Sequence, residues 1–439
     1  MKAGFARVDM TPPLGTDLHG YFHHRYAEKI VTPLYINAIA VDDGETKAAL
    51  VTLDLQGMVR TNSDIVRKYA SEKTGIDESA IFINCTHIHQ GPVIGDFRYD
   101  EQCNGYDKML IAKIADAIKL AIDDMKEAKT YIARGKAEGI SFVRIYRMKD
   151  GSTKTNPGPN PDVVGPLFEP DETLQLLKFV REGAPDIAAV HFQTHPDVIM
   201  GDKSLERAIC YDWPGYVRDY LEKALDDVAD GQGVHVVCFN GTQGDSNHVN
   251  RLDRKGGVKH AKHMAKVIAG EIMKLYTYPE EVDCNGISFK QIPVPIVVRK
   301  GTEEELKISE EVVRVFNEGG SKAVKEAGLP FDIATARRFQ RLVEWPKHAN
   351  LYVSAVKLGE IIFVGFPGEP FTEIGRQTKA GSPFRMTFTC CLTNGSEGYF
   401  PMKEIYQSGG YEANAARFEE GTAERLIEYA VALTKELKD

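Results

Sequence analysis

The chain has 439 residues, of which 43 % are apolar and 27 % are charged. This composition is typical of globular proteins and excludes disordered, collagen-like and coiled-coil chains. The formal net charge is −9 and neither terminus carries a basic run, which argues against a nucleic-acid partner.

Apolar runs long enough for a transmembrane helix or a secretory signal are absent from the sequence. The seven cysteines, with Cys390 and Cys391 adjacent, do not form the pattern of a secreted disulfide framework. We therefore expect a cytoplasmic protein, or a secreted one if a leader has been removed.

Short β-branched runs alternate with longer segments of helical periodicity, which predicts an α/β protein. The predicted elements are, in chain order, strands at 48–55 and 80–84, a helix at 107–127, a strand at 187–193, a helix at 214–227, a strand at 234–239, a helix at 258–276, strands at 351–356, 361–365 and 386–393, and a helix at 422–436. A dense run of Pro and Gly predicts a loop at about 148–171. With no internal repeat or Gly/Ser linker, the expected organisation is a single domain over 1–439.

Five predicted strands run directly into short segments rich in Gly, Pro, His and acidic residues. These segments begin at residues 85, 194, 240, 367 and 394. In open α/β sheets, ligands bind beyond the carboxyl ends of the strands, so segments far apart in sequence can converge there. The pattern therefore predicts one site built from five strand ends.

His87 and His89 are two residues apart, a spacing that places both side chains on one face of an extended backbone. Paired imidazoles are typical of zinc sites, and His195 and Glu369 are natural further ligands. The alternative is that each histidine only caps a turn. Asp245 lies in a Gly-flanked turn, where it is either a general base or the side chain of an Asx-turn or helix cap.

Several ordered motifs resemble those of one family. They are the opening segment at 3–13, Gly20-Tyr21, Asp54, Thr-His-Ile-His-Gln-Gly-Pro at 86–92, His195-Pro196, Gly244-Asp245, Pro367-Gly368-Glu369, Gly398-Tyr399 and Tyr411-Glu412. Their order along the chain resembles the catalytic domain of the neutral, non-lysosomal ceramidases, a family of zinc-dependent amidases.

The resemblance implies a large mixed β-sheet core flanked by helices, without the additional C-terminal β-sandwich domain of the secreted ceramidases. The implied zinc ligands are His87, His195, Glu369 and Tyr399. The implied catalytic residues are Asp245 as general base, His89 as a substrate-contacting residue, and Tyr411 and Arg144 as groups that polarise the carbonyl and stabilise the oxyanion.

We therefore expect a zinc-dependent hydrolase that cleaves the amide bond of a small N-acyl compound. After Gly91-Pro92 the chain continues Val-Ile-Gly-Asp rather than with the family's glycine-rich segment, so the metal-hydrolase chemistry is better supported than ceramide as substrate. One alternative is an esterase or lactonase that uses the same metal. The other is a non-catalytic ligand-binding relative.

Overall fold

Two β-sheets form the framework of the protein, whose computed structural model describes residues 1–98, 104–226 and 232–438. The strands are, in chain order, β1 (Lys2–Asp9), β2 (Lys29–Ile30), β3 (Tyr35–Asp42), β4 (Lys47–Leu53), β5 (Ile81–Cys85), β6 (Lys126–Lys136), β7 (Phe142–Val143), β8 (Ile145–Met148), β9 (Thr153–Thr155), β10 (Val163–Pro166), β11 (Thr173–Arg181), β12 (Asp186–Phe192), β13 (Ala208–Ile209), β14 (Val234–Asn240), β15 (Ser246–Asn247), β16 (Glu280–Glu281), β17 (Ile287–Val297), β18 (His348–Leu358), β19 (Ile361–Gly365), β20 (Glu369–Pro370), β21 (Met386–Cys390) and β22 (Tyr399–Phe400).

Helices cover both sheets. They are α1 (Arg60–Thr74), α2 (Gly105–Asp123), α3 (Asp212–Leu225), α4 (Gly257–Thr277), α5 (Glu303–Glu326), α6 (Ile333–Arg341), α7 (Thr372–Gly381), α8 (Lys403–Ser408), α9 (Tyr411–Ala415) and α10 (Thr422–Lys438). Among the described residues, the helices are too short or too polar to cross a membrane.

The main sheet has the strand order β14-β12-β11-β6-β1-β3-β4-β5, with β16 beside β6. Its two outer pairs, β12–β14 and β4–β5, are parallel, and its inner pairs are antiparallel. The second sheet, β17-β18-β19-β21, is antiparallel except for β19–β21. The expected mixed sheet flanked by helices is thus confirmed.

Each sheet is covered by its own helices, and the two sheets share one large apolar core. Helix α2 packs on β1 and β3 and also contacts α1, whereas α3 and α4 pack on strands β14, β11 and β6. Helices α7 and α10 cover one face of the second sheet and form a second apolar cluster with it, whereas side chains of its other face, such as Val356, Phe363 and Phe388, belong to the core of the main sheet. The apolar residues of α2 that recur every three or four positions are buried, as their periodicity predicts.

The structure corrects two of the predicted elements. The helix expected at 107–127 ends at Asp123, because β6 begins at Lys126 and pairs with β11 and β1. The loop expected at 148–171 contains two short strands, β9 and β10, which pair with β8 on either side. Pro157, Pro159 and Pro161 lie in the connection between β9 and β10, where their missing N–H groups interrupt no ladder, and Pro166 is the last residue of β10.

Buried asparagines join the ends of the two sheets. The Asn240 backbone N–H donates to Asn84 Oδ1 (3.2 Å), and Asn84 Nδ2 donates to the Cys391 carbonyl (2.5 Å). Asn394 accepts the Ile83 N–H (3.0 Å) and donates to the Ile81 carbonyl (3.3 Å). The ends of β5, β14 and β21 therefore meet. They are three of the five strand ends that the sequence predicts to converge.

Replacing Asn394 tests this junction. Asn394→Ala leaves the buried Ile83 N–H and Ile81 carbonyl unpaired and puts alanine at a φ of 53°. We expect the free energy of unfolding to fall by about 2–4 kcal/mol. Urea denaturation measures the change, with Asn285→Ala as a control at an exposed asparagine. Equal stability of the two variants would contradict the role given to the junction.

Candidate active site

His87 and His195 follow β5 and β12, and their buried rings face each other. Each Nδ1 lies against a backbone carbonyl, that of Gln56 for His87 (2.7 Å) and that of Gln243 for His195 (3.3 Å). Because a carbonyl oxygen only accepts hydrogen bonds, each Nδ1 donates and each neutral ring presents its Nε2 lone pair. The two Nε2 atoms are 2.9 Å apart. Lone pairs at this distance repel, so the pair requires a proton or a cation.

The Glu369 carboxylate completes this cluster. Its Oε2 lies 3.2 Å from His87 Nε2 and 3.6 Å from His195 Nε2, and it accepts no hydrogen bond of good geometry from the described residues. Burial opposes ionisation of Glu369, but His87, His195 and the Arg144 guanidinium outweigh it and hold the pKa of the carboxyl below its usual range. An ionised oxygen and two imidazole nitrogens thus point at one position.

The backbone at His87 differs from the prediction. Extended backbone was expected to align His87 with His89, but β5 ends at Cys85 and His87 has a left-handed φ of 70°. This turn points His87 at His195, and His89 Nε2 still lies 3.4 Å from His87 Nε2. The nitrogens of the three histidines all lie within 4.8 Å of one another.

His89 lines the open side of the cluster. Its ring lies edge-on to Tyr21 at 5.4 Å, and its buried Nδ1 has no hydrogen-bond partner among the described residues. Burial, together with the neighbouring His87 and His195, lowers the pKa of His89 well below its ordinary value. A neutral imidazole at this position can form a hydrogen bond to a group in the cavity.

Tyr399 is held directly beside Glu369. The two residues are opposite each other in the parallel pair β20–β22, and the Glu369 N–H donates to the Gly398 carbonyl at 2.9 Å. Arg144 Nη2 donates to the Tyr399 hydroxyl at 3.3 Å, and Arg144 Nε donates to Glu412 Oε1 at 2.7 Å. Burial raises the pKa of Tyr399 well above its usual value, an effect that the Arg144 charge opposes.

A cavity of about 770 Å³ opens over these groups. Its lining includes His89, Glu369, Tyr399 and Tyr411. The Tyr411 ring lies 5.6 Å from the Tyr399 ring, and Tyr411 is the most accessible of the predicted site residues, with 36 % of its surface exposed. The size is that of a site for a small molecule.

Asp245 lies behind the cavity lining rather than in it. Its Oδ1 accepts two hydrogen bonds from Thr372, one from the backbone N–H and one from the hydroxyl, both at 2.7 Å. Its Oδ2 is buried without a partner among the described residues. Burial raises the pKa of Asp245 to about 6. Asp245 thus contacts the first residue of α7 through Oδ1, and its Oδ2 has no hydrogen-bond partner among the described residues.

Two glycines of the sequence motifs permit close approach. A Cβ on Gly244 would lie 2.4 Å from the Glu369 carbonyl oxygen, and one on Gly20, whose φ is +111°, would lie 2.7 Å from the His89 ring. Any side chain at these positions would displace a residue of the cluster.

The donor set fits a divalent cation. Two imidazole nitrogens and a carboxylate oxygen are the ligands of one class of catalytic zinc site, which keeps a further position open. Two observations support this fit. Glu369 Oε2 has no hydrogen-bond partner among the described residues, and the Nε2 atoms of His87 and His195 face each other. His89 and Tyr399 adjoin the three donors as a third imidazole and a phenol.

Sequence reasoning missed several supporting residues. The Gln56 and Gln243 carbonyls act through the backbone, so residue type gives no signal for them. Glu412 anchors Arg144 through a buried ion pair, and its place in the Tyr411-Glu412 motif was the one available signal. Thr372 had none.

Comparison with known proteins supports the fold. No family model matches the chain, and no curated protein matches it either. Among solved structures, the neutral ceramidase from Pseudomonas aeruginosa is similar with a TM-score of 0.72 and 17 % identity, over 100 % of this chain and 75 % of that chain. A ceramidase complexed with C2 is similar with a TM-score of 0.71 and 16 % identity, over 99 % of this chain and 75 % of that one. Along its described length the chain therefore has the fold of the neutral ceramidases, as its motifs indicate.

Proposed function

We propose that the protein is a zinc-dependent amidohydrolase that cleaves the amide bond of an N-acyl compound. The observation that carries the proposal is the convergence of His87 Nε2, His195 Nε2 and an unpartnered Glu369 oxygen beside a small-molecule cavity. The fold shared with two solved ceramidases supports the choice of an amide.

His87, His195 and Glu369 would hold the zinc ion, with Tyr399 as a fourth ligand. The carbonyls of Gln56 and Gln243 fix both imidazoles in the tautomer that a metal requires. Arg144 favours the deprotonated form of Tyr399 because it donates to that hydroxyl. When bound, zinc lowers the pKa of a water molecule and polarises a carbonyl group.

The remaining polar groups bind and orient the substrate. Tyr411 faces the cavity and would donate to the carbonyl oxygen on which negative charge develops, with Arg144 adding its charge from behind Tyr399. Glu412 keeps the Arg144 guanidinium in place. His89 lines the cavity, where its neutral ring would contact the substrate.

Asp245 is the proposed general base, acting through Oδ2 while Thr372 holds Oδ1. A pKa of about 6 suits a base that works near neutral pH. Its ionised form, which is the active one, prevails above that pH.

Removal of the metal tests the proposed chemistry. We expect dipicolinate to abolish hydrolysis of an N-dodecanoyl amide and stoichiometric zinc to restore it, because the proposed reaction requires the zinc ion to acidify a water molecule. His87→Ala/His195→Ala should retain neither zinc nor activity. His348→Ala, at an exposed histidine, serves as the control and should retain both. Full activity in the chelated protein would contradict the proposal, and hydrolysis of only the matched ester would identify an esterase.

The pH dependence tests Asp245. Because protonation inactivates a general base, kcat/KM should fall about tenfold per pH unit below about pH 6. Asp245→Asn should remove this limb and lower kcat about 10²–10⁴-fold.

Thr372→Val provides the matched variant. It removes one donor to the carboxylate, which raises the pKa of Asp245, so the acid limb should move to higher pH. If the acid limb is the same in all three proteins, Asp245 is a structural residue and not the base.

A further inference from the structure

Helix α6 presents a row of arginines to the cavity. Arg337, Arg338 and Arg341 all line it, together with Arg417, Arg60 and Arg98 from other segments. This concentration of positive charge has no role in holding zinc or in the proton transfers described above.

Four of these arginines have partners in the protein, and one of them, Arg98, pairs with Asp96 (2.6 Å). Arg417 pairs with Glu397 (3.1 Å), and Arg60 pairs with Asp64 (3.2 Å) and stacks over the Tyr352 ring. Arg338 donates to a backbone carbonyl. Each of these four arginines therefore has a partner within the fold, although Arg60 Nη1 and Arg338 Nε are buried without one among the described residues.

Arg337 and Arg341 have no such partner among the described residues. Within the described residues, neither guanidinium forms an ion pair or a side-chain hydrogen bond, and the exposed Glu344 beyond the helix pairs with neither. The two residues are four positions apart, so both lie on the same face of α6, where like charges repel.

Electrostatic crowding is evident at Arg341. Desolvation by the surrounding protein, and then the charges of Arg417 and Arg337, lower the pKa of Arg341 to about 10, although its side chain is exposed. The guanidinium remains charged at neutral pH, so the cavity lining holds two positive charges that have no ion-pair partner among the described residues. An anion placed between them would relieve the repulsion and gain charge-assisted hydrogen bonds.

The arginine row belongs to the same cavity as the reaction centre. After burial, the Arg341 charge is the main influence that lowers the pKa of His19 to about 4, and His19 also responds to His87 and Glu369. The cavity also has apolar walls at Val59, Val93 and Ile94, which suit an acyl chain.

We propose that Arg337 and Arg341 bind an anionic group of the substrate, so that the amide cleaved is an N-acyl amino acid type of amphiphile rather than a neutral lipid amide. The proposal rests on the amidohydrolase function proposed above and specifies its substrate class. A carboxylate is planar and matches the guanidinium fork in a bidentate contact.

Two amides that differ in one group test whether Arg337 and Arg341 bind an anionic group of the substrate. N-dodecanoylglycine carries a carboxylate, and N-dodecanoylethanolamine carries a hydroxyl in nearly the same place. We expect the glycine compound to bind at least about tenfold more tightly in calorimetry, and to have a correspondingly higher kcat/KM, with the preference falling as salt is added. In Arg337→Ala/Arg341→Ala the preference should fall below about twofold.

Control variants and a free anion make the comparison specific. Arg314→Ala removes an exposed arginine of α5 that pairs with glutamates, and it should keep the preference. Arg337→Gln/Arg341→Gln is the second variant if the alanine protein fails to fold. Inorganic phosphate, titrated alone, distinguishes a site for a free anion: phosphate that binds as tightly as the acyl compound would overturn the substrate assignment.

The binding and kinetic readouts distinguish the two proposals. Tighter binding of the glycine compound with no hydrolysis of either amide would refute the hydrolase and retain the anion site. Hydrolysis of both amides with equal affinity would refute the anion site and retain the hydrolase.

Discussion

The opposed imidazoles of His87 and His195 are the constraint on which the site depends. Their Nε2 atoms are 2.9 Å apart in a buried environment, and a carboxylate oxygen of Glu369 lies beside them. Burial, with the charges of Arg144 and His87, lowers the pKa of His195 to about 3, so a shared proton is a poor solution at neutral pH. A divalent cation satisfies both lone pairs and the carboxylate at once. A divalent cation bound between these atoms would therefore relieve their repulsion.

The residues of the site lie near the ends of several strands, which belong to both sheets. β5 and β12 carry the histidines, and the turn after β14 holds His195 through the Gln243 carbonyl. The second sheet contributes Glu369 just after β19, and the short pair β20–β22 sets Tyr399 opposite it. Buried hydrogen bonds of Asn84 and Asn394 tie β5 to the segment after β21. Because each donor comes from a different segment, the geometry of the site depends on how the sheets meet.

The sequence predicted the parts of this arrangement that have local signals. Apolar runs identified β5, β12 and β14, and the polar segments that follow them indicated a shared site. The left-handed turn at His87 and the pairing of Glu369 with Tyr399 had no such signal, because both depend on contacts between distant segments. The short strands β9 and β10 were hidden by prolines. The i, i+4 spacing of Arg337 and Arg341 is visible in the sequence, but the cavity that this face of α6 lines is set by tertiary packing.

The most direct test of the account is anomalous diffraction at the zinc edge from crystals of the protein grown with zinc. We expect one strong peak bounded by His87 Nε2, His195 Nε2 and Glu369 Oε2, and loss of that peak in Glu369→Gln, where the carboxylate charge is removed and the shape is kept. An intact cluster with no peak between these atoms, at zinc concentrations that fill other sites, would contradict the account.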